Sequence, residues 1–246
     1  MRDYRTPGIQ RNLASAKKVF VVMSSKGGVG KTTVATLLSY TLSTMGVKVG
    51  LLDLDLVNPS THLLLGVNPA SITYKEEKGI LPAEIRERFY YVTFASFTSN
   101  KPIALSGEAS REALREILLI TKWGELDYIF IDTPPGISDE HLELIYNLRN
   151  IVPIVVSTPS PLSTSSVSKL IEILREAGLS NILFVENMGK GSLRKYAEEI
   201  GLVYLGFIPY VESVSLASGS VETYIKGDLS SYLTKIAERI MKMEQP

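Results

Sequence analysis

The segment VFVVMSSKGGVGKTT, residues 19–33, contains an apolar run, a glycine-rich turn and the start of a helical pattern. Val19–Met23 is typical of a strand buried on both faces, and Lys31–Met45 carries apolar residues at helical spacing up to Gly46. The turn matches the phosphate-binding pattern G-x-x-x-x-G-K-[ST], except that Ser25 stands at the first glycine position. A strand, glycine turn and helix in this order restrict the fold to the α/β class.

The glycine turn is predicted to bind the phosphates of ATP or ADP. Gly27, Gly28 and Gly30 let backbone N–H groups point inward without a Cβ in the way, and the positive end of the following helix favours an anion there. Lys31 is expected to reach the β- and γ-phosphates, and the Thr32 hydroxyl to bind Mg²⁺. The predicted contacts are Gly27, Gly28, Val29, Gly30, Lys31, Thr32 and Thr33. The alternative is a glycine-rich turn that holds no ligand.

Apolar runs and helical patterns alternate along the rest of the chain. Strands are predicted at Val47–Leu52, Phe89–Phe97, Tyr128–Ile131, Ile151–Val156, Ile182–Val185 and Val203–Ile208, and helices at Arg111–Trp123, His141–Arg149, Val167–Leu174 and from Asp228 onward. Such alternation predicts the α/β class, with a mostly parallel sheet flanked by helices on both faces. Pro153 predicts that ladder pairing of its strand begins only after it.

The strands and helices are too interleaved to divide, so residues 17–246 are interpreted as one domain. Residues 1–16 are polar, with more arginine than aspartate. We interpret them as an N-terminal arm that precedes the domain and docks a partner.

The charge balance gives no strong signal for nucleic acid or membrane. Lys+Arg and Asp+Glu are both 26, which leaves no net field to attract a polyanion. No apolar run approaches the ~20 residues that span a bilayer, and the N-terminal residues lack the apolar core of a signal peptide. The expected compartment is the cytoplasm.

An aspartate follows the apolar run Tyr128–Ile131. At the end of such a strand Asp132 can hold a Mg²⁺-bound water, as a Walker-B carboxylate does; the alternative is a strand-end cap. Gly136, shortly after, can offer its N–H to the γ-phosphate.

Two further aspartates end the strand at Val47–Leu52. Asp53 and Asp55 lie two residues apart, which places both on one side of an extended chain. A role at the reaction centre is predicted for them, although one of the two can equally be a turn or cap residue.

The motif K-G-G-V-G-K-T, with its early Lys26, resembles the deviant phosphate loop of the Mrp/MinD/ParA ATPases, which are P-loop NTPases of the SIMIBI type. The resemblance implies a homodimer that forms on ATP binding, in which Lys26 crosses to the phosphates of the partner subunit. Lys26, Lys31 and Asp55 are then the catalytic residues of ATP hydrolysis. A cation that a second subunit supplies in this way accelerates phosphoryl transfer by ~10³–10⁵-fold. The alternative is that Lys26 solvates the loop edge.

The resemblance also implies roles for other residues. Asp55 orients the attacking water, with Asp53 nearer the metal. Asn187 in VENMG hydrogen-bonds adenine, and Pro209 and Tyr210 close the other side of the base. The alternative for Asn187 is an ordinary turn residue.

Within the family, the order of the motifs SSKGGVGKTT, WGELDYIFIDTPPG and VENMG is similar to that of the Mrp-like branch. Many members follow the last motif with a Cys-x-x-Cys that holds an iron–sulfur cluster. The chain has no cysteine, so we expect that it ligates no such cluster itself. One relative without that motif is the ATPase-type hydrogenase-maturation protein, which promotes nickel delivery with a small zinc protein; the sequence is compatible with it.

Three functions follow as hypotheses. The first is a dimeric ATP switch that assembles a metal centre on a partner carrying or receiving the metal. The second is a spatial organiser that binds membrane or DNA, as MinD and ParA relatives do. Its candidate anchor is the C-terminal stripe Leu229, Tyr232, Leu233, Ile236 and Ile240, but the mixed charges of the opposite face predict that this helix packs on the sheet. The third is a nucleotide-binding module that does not hydrolyse.

Overall fold

The computed structural model describes residues 3–98, 107–136, 148, 151–212 and 220–243. Its strands are β1 (Ala16–Met23), β2 (Val49–Asp53), β3 (Lys75–Glu76), β4 (Ile80–Leu81), β5 (Ala83–Arg86), β6 (Phe89–Thr93), β7 (Leu126–Asp132), β8 (Ile151–Ser157), β9 (Leu183–Asn187) and β10 (Val203–Ile208). The helices are α1 (Thr6–Leu13), α2 (Lys31–Thr44), α3 (Thr61–Leu65), α4 (Gly107–Ile120), α5 (Pro161–Glu176), α6 (Arg194–Glu199), α7 (Val221–Lys226) and α8 (Ser230–Lys242). Apart from Leu148, the predicted helix His141–Arg149 lies outside the described residues.

Eight strands form one sheet in the order β10-β9-β8-β1-β7-β2-β6-β5. All neighbours in it are parallel except β5, which runs antiparallel to β6. The short strands β3 and β4 form a separate antiparallel pair. The prediction of a mostly parallel sheet is therefore confirmed.

Both faces of the sheet are covered by helices. Along β1, Val19 and Val21 pack into a core with α1, α4, α5 and α6, whereas Phe20 and Val22 pack into a second core with α2, α7 and α8. Alternate side chains of one strand therefore enter two apolar cores, which explains why residues 19–23 of β1 are all apolar.

The C-terminal helix α8 packs on the sheet, as its mixed surface charge predicted. Leu233, Ile236, Ala237 and Ile240 are buried, in the same core as α2. In the described part of the chain, no helix has the length and apolarity needed to cross a membrane.

Part of the N-terminal segment is a helix on the domain surface. In α1, Ile9 and Leu13 are buried in the core beside α4, and Asn12 Nδ2 donates to Leu119 O at 2.6 Å. Arg5, just before α1, bridges Asp3 and the α4 residue Glu112. Docking of a partner by residues 1–16 stays a prediction.

Two predicted elements end earlier than the sequence pattern indicated. The strand Phe89–Phe97 stops at Thr93, because the Thr93 side chain accepts a hydrogen bond from Ala95 N and begins a 3-10 turn. The helix Arg111–Trp123 ends at Ile120. There the chain turns to pair with β4, since Lys122 N donates to Ile80 O at 2.8 Å.

The prediction for Pro153 was wrong on one side of its strand. Pairing of β8 with β1 begins at Ile151 and includes Pro153. Pairing with β9 begins only at Ile154. The late start on that side is what a residue without an N–H imposes on a ladder.

Candidate functional site

The carboxyl ends of the parallel strands meet at one edge of the sheet, where the predicted site residues lie. The phosphate loop follows β1 directly, and Asp53 and Asp132 are register partners at the ends of β2 and β7. A cavity of about 260 Å³ lies there; its walls include the loop from Lys26 to Thr32, together with Asp55 and Pro135. The structure thus brings the phosphate loop and the Asp55 segment to one cavity.

The backbone of the phosphate loop requires glycine at two positions. Gly28 and Gly30 adopt φ of 78° and 80°, in the left-handed region that other residues rarely enter. A Cβ at Gly30 would also overlap the side-chain amide of Asn187. A cavity with such a loop in its wall suits a phosphate group, because Gly27, Gly28 and Gly30 leave part of the wall without side chains.

Lys31 and Asp132 form a buried ion pair. Lys31 Nζ lies 2.6 Å from Asp132 Oδ1, and the two side chains are 6% and 0% exposed. Burial raises the pKa of Asp132, and the Lys31 ammonium opposes that shift. The lysine that is predicted to bind phosphate therefore forms an ion pair with the predicted Walker-B carboxylate.

The second oxygen of Asp132 fits a magnesium role. Asp132 Oδ2 is buried and accepts no hydrogen bond from the residues that the structure describes. The Thr32 hydroxyl lies close by, 3.4 Å from Lys31 Nζ. Hard oxygen ligands of this kind are those that Mg²⁺ prefers, so Thr32 and Asp132 fit the ion. Their role as ligands stays a prediction.

Asp53 is fully buried and holds the segment that follows β2. Its Oδ1 accepts from Asp55 N, and its Oδ2 accepts from Ser60 N, Thr61 N and the Thr61 hydroxyl. Burial and then the charge of Asp132 raise the pKa of Asp53 to about 7, while the bonds from Thr61 and Asp55 act in the opposite direction. The structure shows an anchor; a place near the metal stays a prediction.

Replacing Asp53 with asparagine should loosen residues 55–61. The amide nitrogen that takes the place of one oxygen cannot accept a hydrogen bond, so either Asp55 N, or Ser60 N and Thr61 N, lose their acceptor. We expect faster amide exchange of this segment, measured by hydrogen–deuterium exchange, with β1 unchanged. Tyr91→Phe is the matched control, since it removes only the hydroxyl 2.6 Å from Thr61 Oγ1. Equal exchange in Asp53→Asn and wild type would contradict the anchoring role.

Lys26 and Asp55 line the same cavity but differ in their hydrogen bonding. Asp55 Oδ1 accepts from Asn58 N at 3.0 Å. Within the described part of the chain, the half-buried Lys26 side chain makes no ion pair or hydrogen bond. Its predicted contact with the phosphates of a second copy stays a prediction.

The predicted adenine residues surround a small cavity of about 60 Å³. Asn187, Met188, Pro209 and Tyr210 line it, so the structure brings the predicted Asn187, Pro209 and Tyr210 together. Asn187 Nδ2 donates to Val29 O at 2.8 Å, which links the end of β9 to the phosphate loop. Recognition of adenine stays a prediction.

Gly136 follows Pro135, a residue that lies close to the phosphate loop. It is half-buried with φ of 82°, and a Cβ built on Gly27 would lie 3.7 Å from Pro135 Cβ. Its predicted contact with the γ-phosphate stays a prediction.

Sequence reasoning missed Glu186. This buried carboxylate at the end of β9 accepts hydrogen bonds from four backbone amides, Lys190 N, Gly191 N, Ser192 N and Leu193 N, and from the hydroxyls of Ser192 and Tyr204. The only signal was a charged residue at the end of an apolar strand, as for Asp53 and Asp132. Glu186 thereby closes the loop at residues 189–193.

A mostly parallel sheet with a phosphate loop between its central strand and the next helix defines a P-loop NTPase. The chain belongs to the ParA group of these proteins: the family model described as NUBPL iron-transfer P-loop NTPase matches residues 15–243.

Curated relatives match nearly the whole chain. The cytosolic Fe-S cluster assembly factor CFD1 of Saccharomyces cerevisiae is 32% identical, over 94% of this chain and 88% of the relative. The iron-sulfur cluster carrier protein of Aquifex aeolicus is 32% identical, over 95% of this chain and 69% of the relative. Human NUBP2, also a cytosolic Fe-S cluster assembly factor, is 31% identical over 94% of both chains.

Solved structures agree with the fold. The nucleotide-binding protein of Archaeoglobus fulgidus, solved in complex with ADP, superposes with a TM-score of 0.75 at 29% identity, over 89% of this chain and 93% of that one. The cell division ATPase MinD of Pyrococcus furiosus gives 0.68 at 24% identity, over 92% and 99%, and supports the fold alone.

Proposed function

We propose that this chain is an ATP-dependent homodimeric switch that hydrolyses ATP to ADP and phosphate and acts in metal-centre assembly in the cytoplasm. The observation that carries the proposal is the Lys26 ammonium, which has no ion-pair or hydrogen-bond partner among the described residues and belongs to the cavity that Asp55 and the phosphate loop share. Such a group contributes little to the stability of its own subunit, but it would place a positive charge beside the phosphates bound to a second copy.

Each group at the site has a proposed role in hydrolysis. Magnesium, when bound with ATP, supplies charge neutralisation at the β- and γ-phosphates. Lys31 leaves Asp132 to bind the phosphates, while Thr32 and Asp132 hold the ion. Asp55 orients the attacking water, and Lys26 of the second copy stabilises the charge that develops in the transition state. Hydrolysis therefore depends on assembly.

Iron–sulfur chemistry is the better supported client chemistry. The relatives named above are iron–sulfur assembly factors or carriers, and none of these names supports the expected nickel delivery to hydrogenase. The chain has no cysteine, and the loop after Asn187 is folded onto Glu186. We therefore propose that a partner protein supplies the cluster ligands and that this chain supplies the ATP-driven change.

The spatial-organiser alternative has less support. Its candidate membrane anchor was the apolar stripe of α8, and Leu233, Ile236 and Ile240 of that stripe are buried against the sheet. Liposome or DNA co-sedimentation in the presence of ATP separates the two functions.

Phosphate release should rise more steeply than protein concentration. Because Lys26 must come from a second copy, turnover per subunit is expected to increase until dimerisation is complete, in a steady-state assay with magnesium and ATP. Asp55→Ala is the inactive control. Turnover per subunit that stays constant across the dimerisation range would contradict hydrolysis in trans, and no turnover at any concentration would favour a module that only binds nucleotide.

The client can be tested separately with the Asp55→Ala variant, which should hold ATP without hydrolysing it. After affinity capture, the metal content of the eluate is measured. Iron in a co-purified protein would support the proposed iron–sulfur client. Nickel would instead favour a role in hydrogenase maturation. The absence of both metals would contradict a role in metal-centre assembly.

A further inference from the structure

A second cavity, of about 430 Å³, lies away from the nucleotide site, at the outer edge of β10. Its walls carry the cations Lys190, Arg194, Lys235 and Arg239 and the aromatic rings of Tyr204, Phe207 and Tyr232. We call these seven residues the edge groove. Of the described residues that line this cavity, none is acidic, although the chain as a whole has a net charge of zero.

The four cations stand on both sides of the strand edge. Lys190 and Arg194 come from the loop after β9 and from α6, which pack on one face of the sheet, whereas Lys235 and Arg239 come from α8 on the other face. A linear ligand that follows β10 would therefore have positive charge on either side. Two partly exposed aromatic rings, Phe207 and Tyr232, lie 5.1 Å apart between their centroids and offer apolar contact.

Two of the cations are already engaged and two are not. Arg239 Nη1 donates to Leu205 O at 2.6 Å, and Arg194 pairs with Glu198 at 3.0 Å. The side chains of Lys190 and Lys235 are exposed, and within the described ranges of the chain they make no ion pair or side-chain hydrogen bond. Two lysines that line one cavity and have no ion-pair partner among the described residues attract an anionic partner.

We propose that the edge groove binds an acidic, extended segment of a partner protein that also carries aromatic or apolar side chains. Carboxylates of the segment would contact Lys190 and Lys235, and its apolar side chains would pack on Phe207 and Tyr232. A strand edge suits an extended peptide, and charge complementarity provides specificity and a fast association rate. This proposal goes beyond the ATP switch and does not require that hydrolysis occur.

The loop that carries Lys190 is also connected to the nucleotide site. Glu186 holds this loop through Lys190 N, and the next residue along β9, Asn187, donates to Val29 O of the phosphate loop. A partner in the edge groove would therefore contact a loop that begins directly beside the nucleotide cavity.

The probe is a fluorescent peptide of glutamates interspersed with tyrosine, measured by anisotropy at low salt without nucleotide. We expect wild type to bind it, and the double variant Lys190→Glu/Lys235→Glu to bind at least about tenfold more weakly, because two attractions become repulsions. Lys190→Gln/Lys235→Gln should lose less. The matched control Lys169→Glu/Lys195→Glu makes the same charge change at exposed residues outside the groove and should bind as wild type does.

Several results would overturn the proposal: no binding of the acidic peptide to wild type, equal loss in the control variant, or equal binding of a peptide with glutamine at every glutamate position. Tighter binding of a single-stranded oligonucleotide through the same two lysines would assign the groove to nucleic acid. A circular-dichroism melt of each variant identifies any loss caused by unfolding. Because peptide binding is read without ATP, its failure leaves the proposed hydrolysis to its own test.

Discussion

Replacing Lys26 with alanine is expected to leave ATP binding near the wild-type level and to slow hydrolysis at least ~10³-fold, the low end of the range for a cation supplied in trans. The physical reason is that Lys26 makes no ion pair or side-chain hydrogen bond within the described part of its own chain, so removing it costs the isolated subunit little. Nucleotide binding is measured by titration with a fluorescent ATP analogue, and hydrolysis by phosphate release above the dimerisation range.

Lys31→Ala is the matched control for that experiment. Lys31 is buried against Asp132 and is expected to bind phosphates within its own subunit, so its loss should weaken nucleotide binding as well as hydrolysis. If Lys26→Ala weakens binding and hydrolysis by the same factor, Lys26 is a local phosphate ligand. If it changes neither, Lys26 only solvates the loop edge.

Replacing Glu186 with alanine is expected to destabilise the protein by about 3–5 kcal/mol, because a buried carboxylate with six donors disappears and leaves groups such as Leu193 N without an acceptor. For a chain of this size that corresponds to a fall in Tm of roughly 10 °C. Thermal unfolding followed by circular dichroism measures the change.

Glu198→Ala is the control for Glu186→Ala. Glu198 is exposed and pairs with Arg194 one helical turn away, an interaction worth no more than about 0.5 kcal/mol. Glu186→Gln should fall between the two, since it keeps one accepting oxygen in a side chain of the same shape. A Glu186→Ala variant as stable as wild type would mean that the loop at residues 189–193 does not need its carboxylate.

The central part of the fold was predictable because its signals are local. The run at β1 is apolar at every position since alternate residues enter two cores, and the glycines of the phosphate loop are required by a backbone that other residues rarely adopt. Asp132 was singled out because it follows a buried apolar run, and Asn187 because of the family resemblance; the structure places both at the ends of buried strands.

The elements that were missed depend on long-range contacts. The helix α1 has little apolar content of its own and is fixed by Asn12 and Arg5 against α4, about a hundred positions later in the chain. The loop at residues 189–193 likewise depends on hydrogen bonds from its backbone to the Glu186 side chain, and these leave no periodic pattern in the sequence. The hydrogen bonds by which Asp53 anchors residues 55–61 could not be predicted from the sequence. An aspartate at the end of a strand gives the same sequence pattern whether its carboxylate binds a metal or accepts hydrogen bonds from a neighbouring loop.

The buried ion pair of Lys31 and Asp132 would link nucleotide binding to metal binding. When a triphosphate draws the lysine away, a carboxylate that is 0% exposed is left without a countercharge in a medium that solvates ions poorly. A divalent cation bound together with the triphosphate would restore neutrality, so we expect the chain to bind the metal-chelated nucleotide in preference to the bare one.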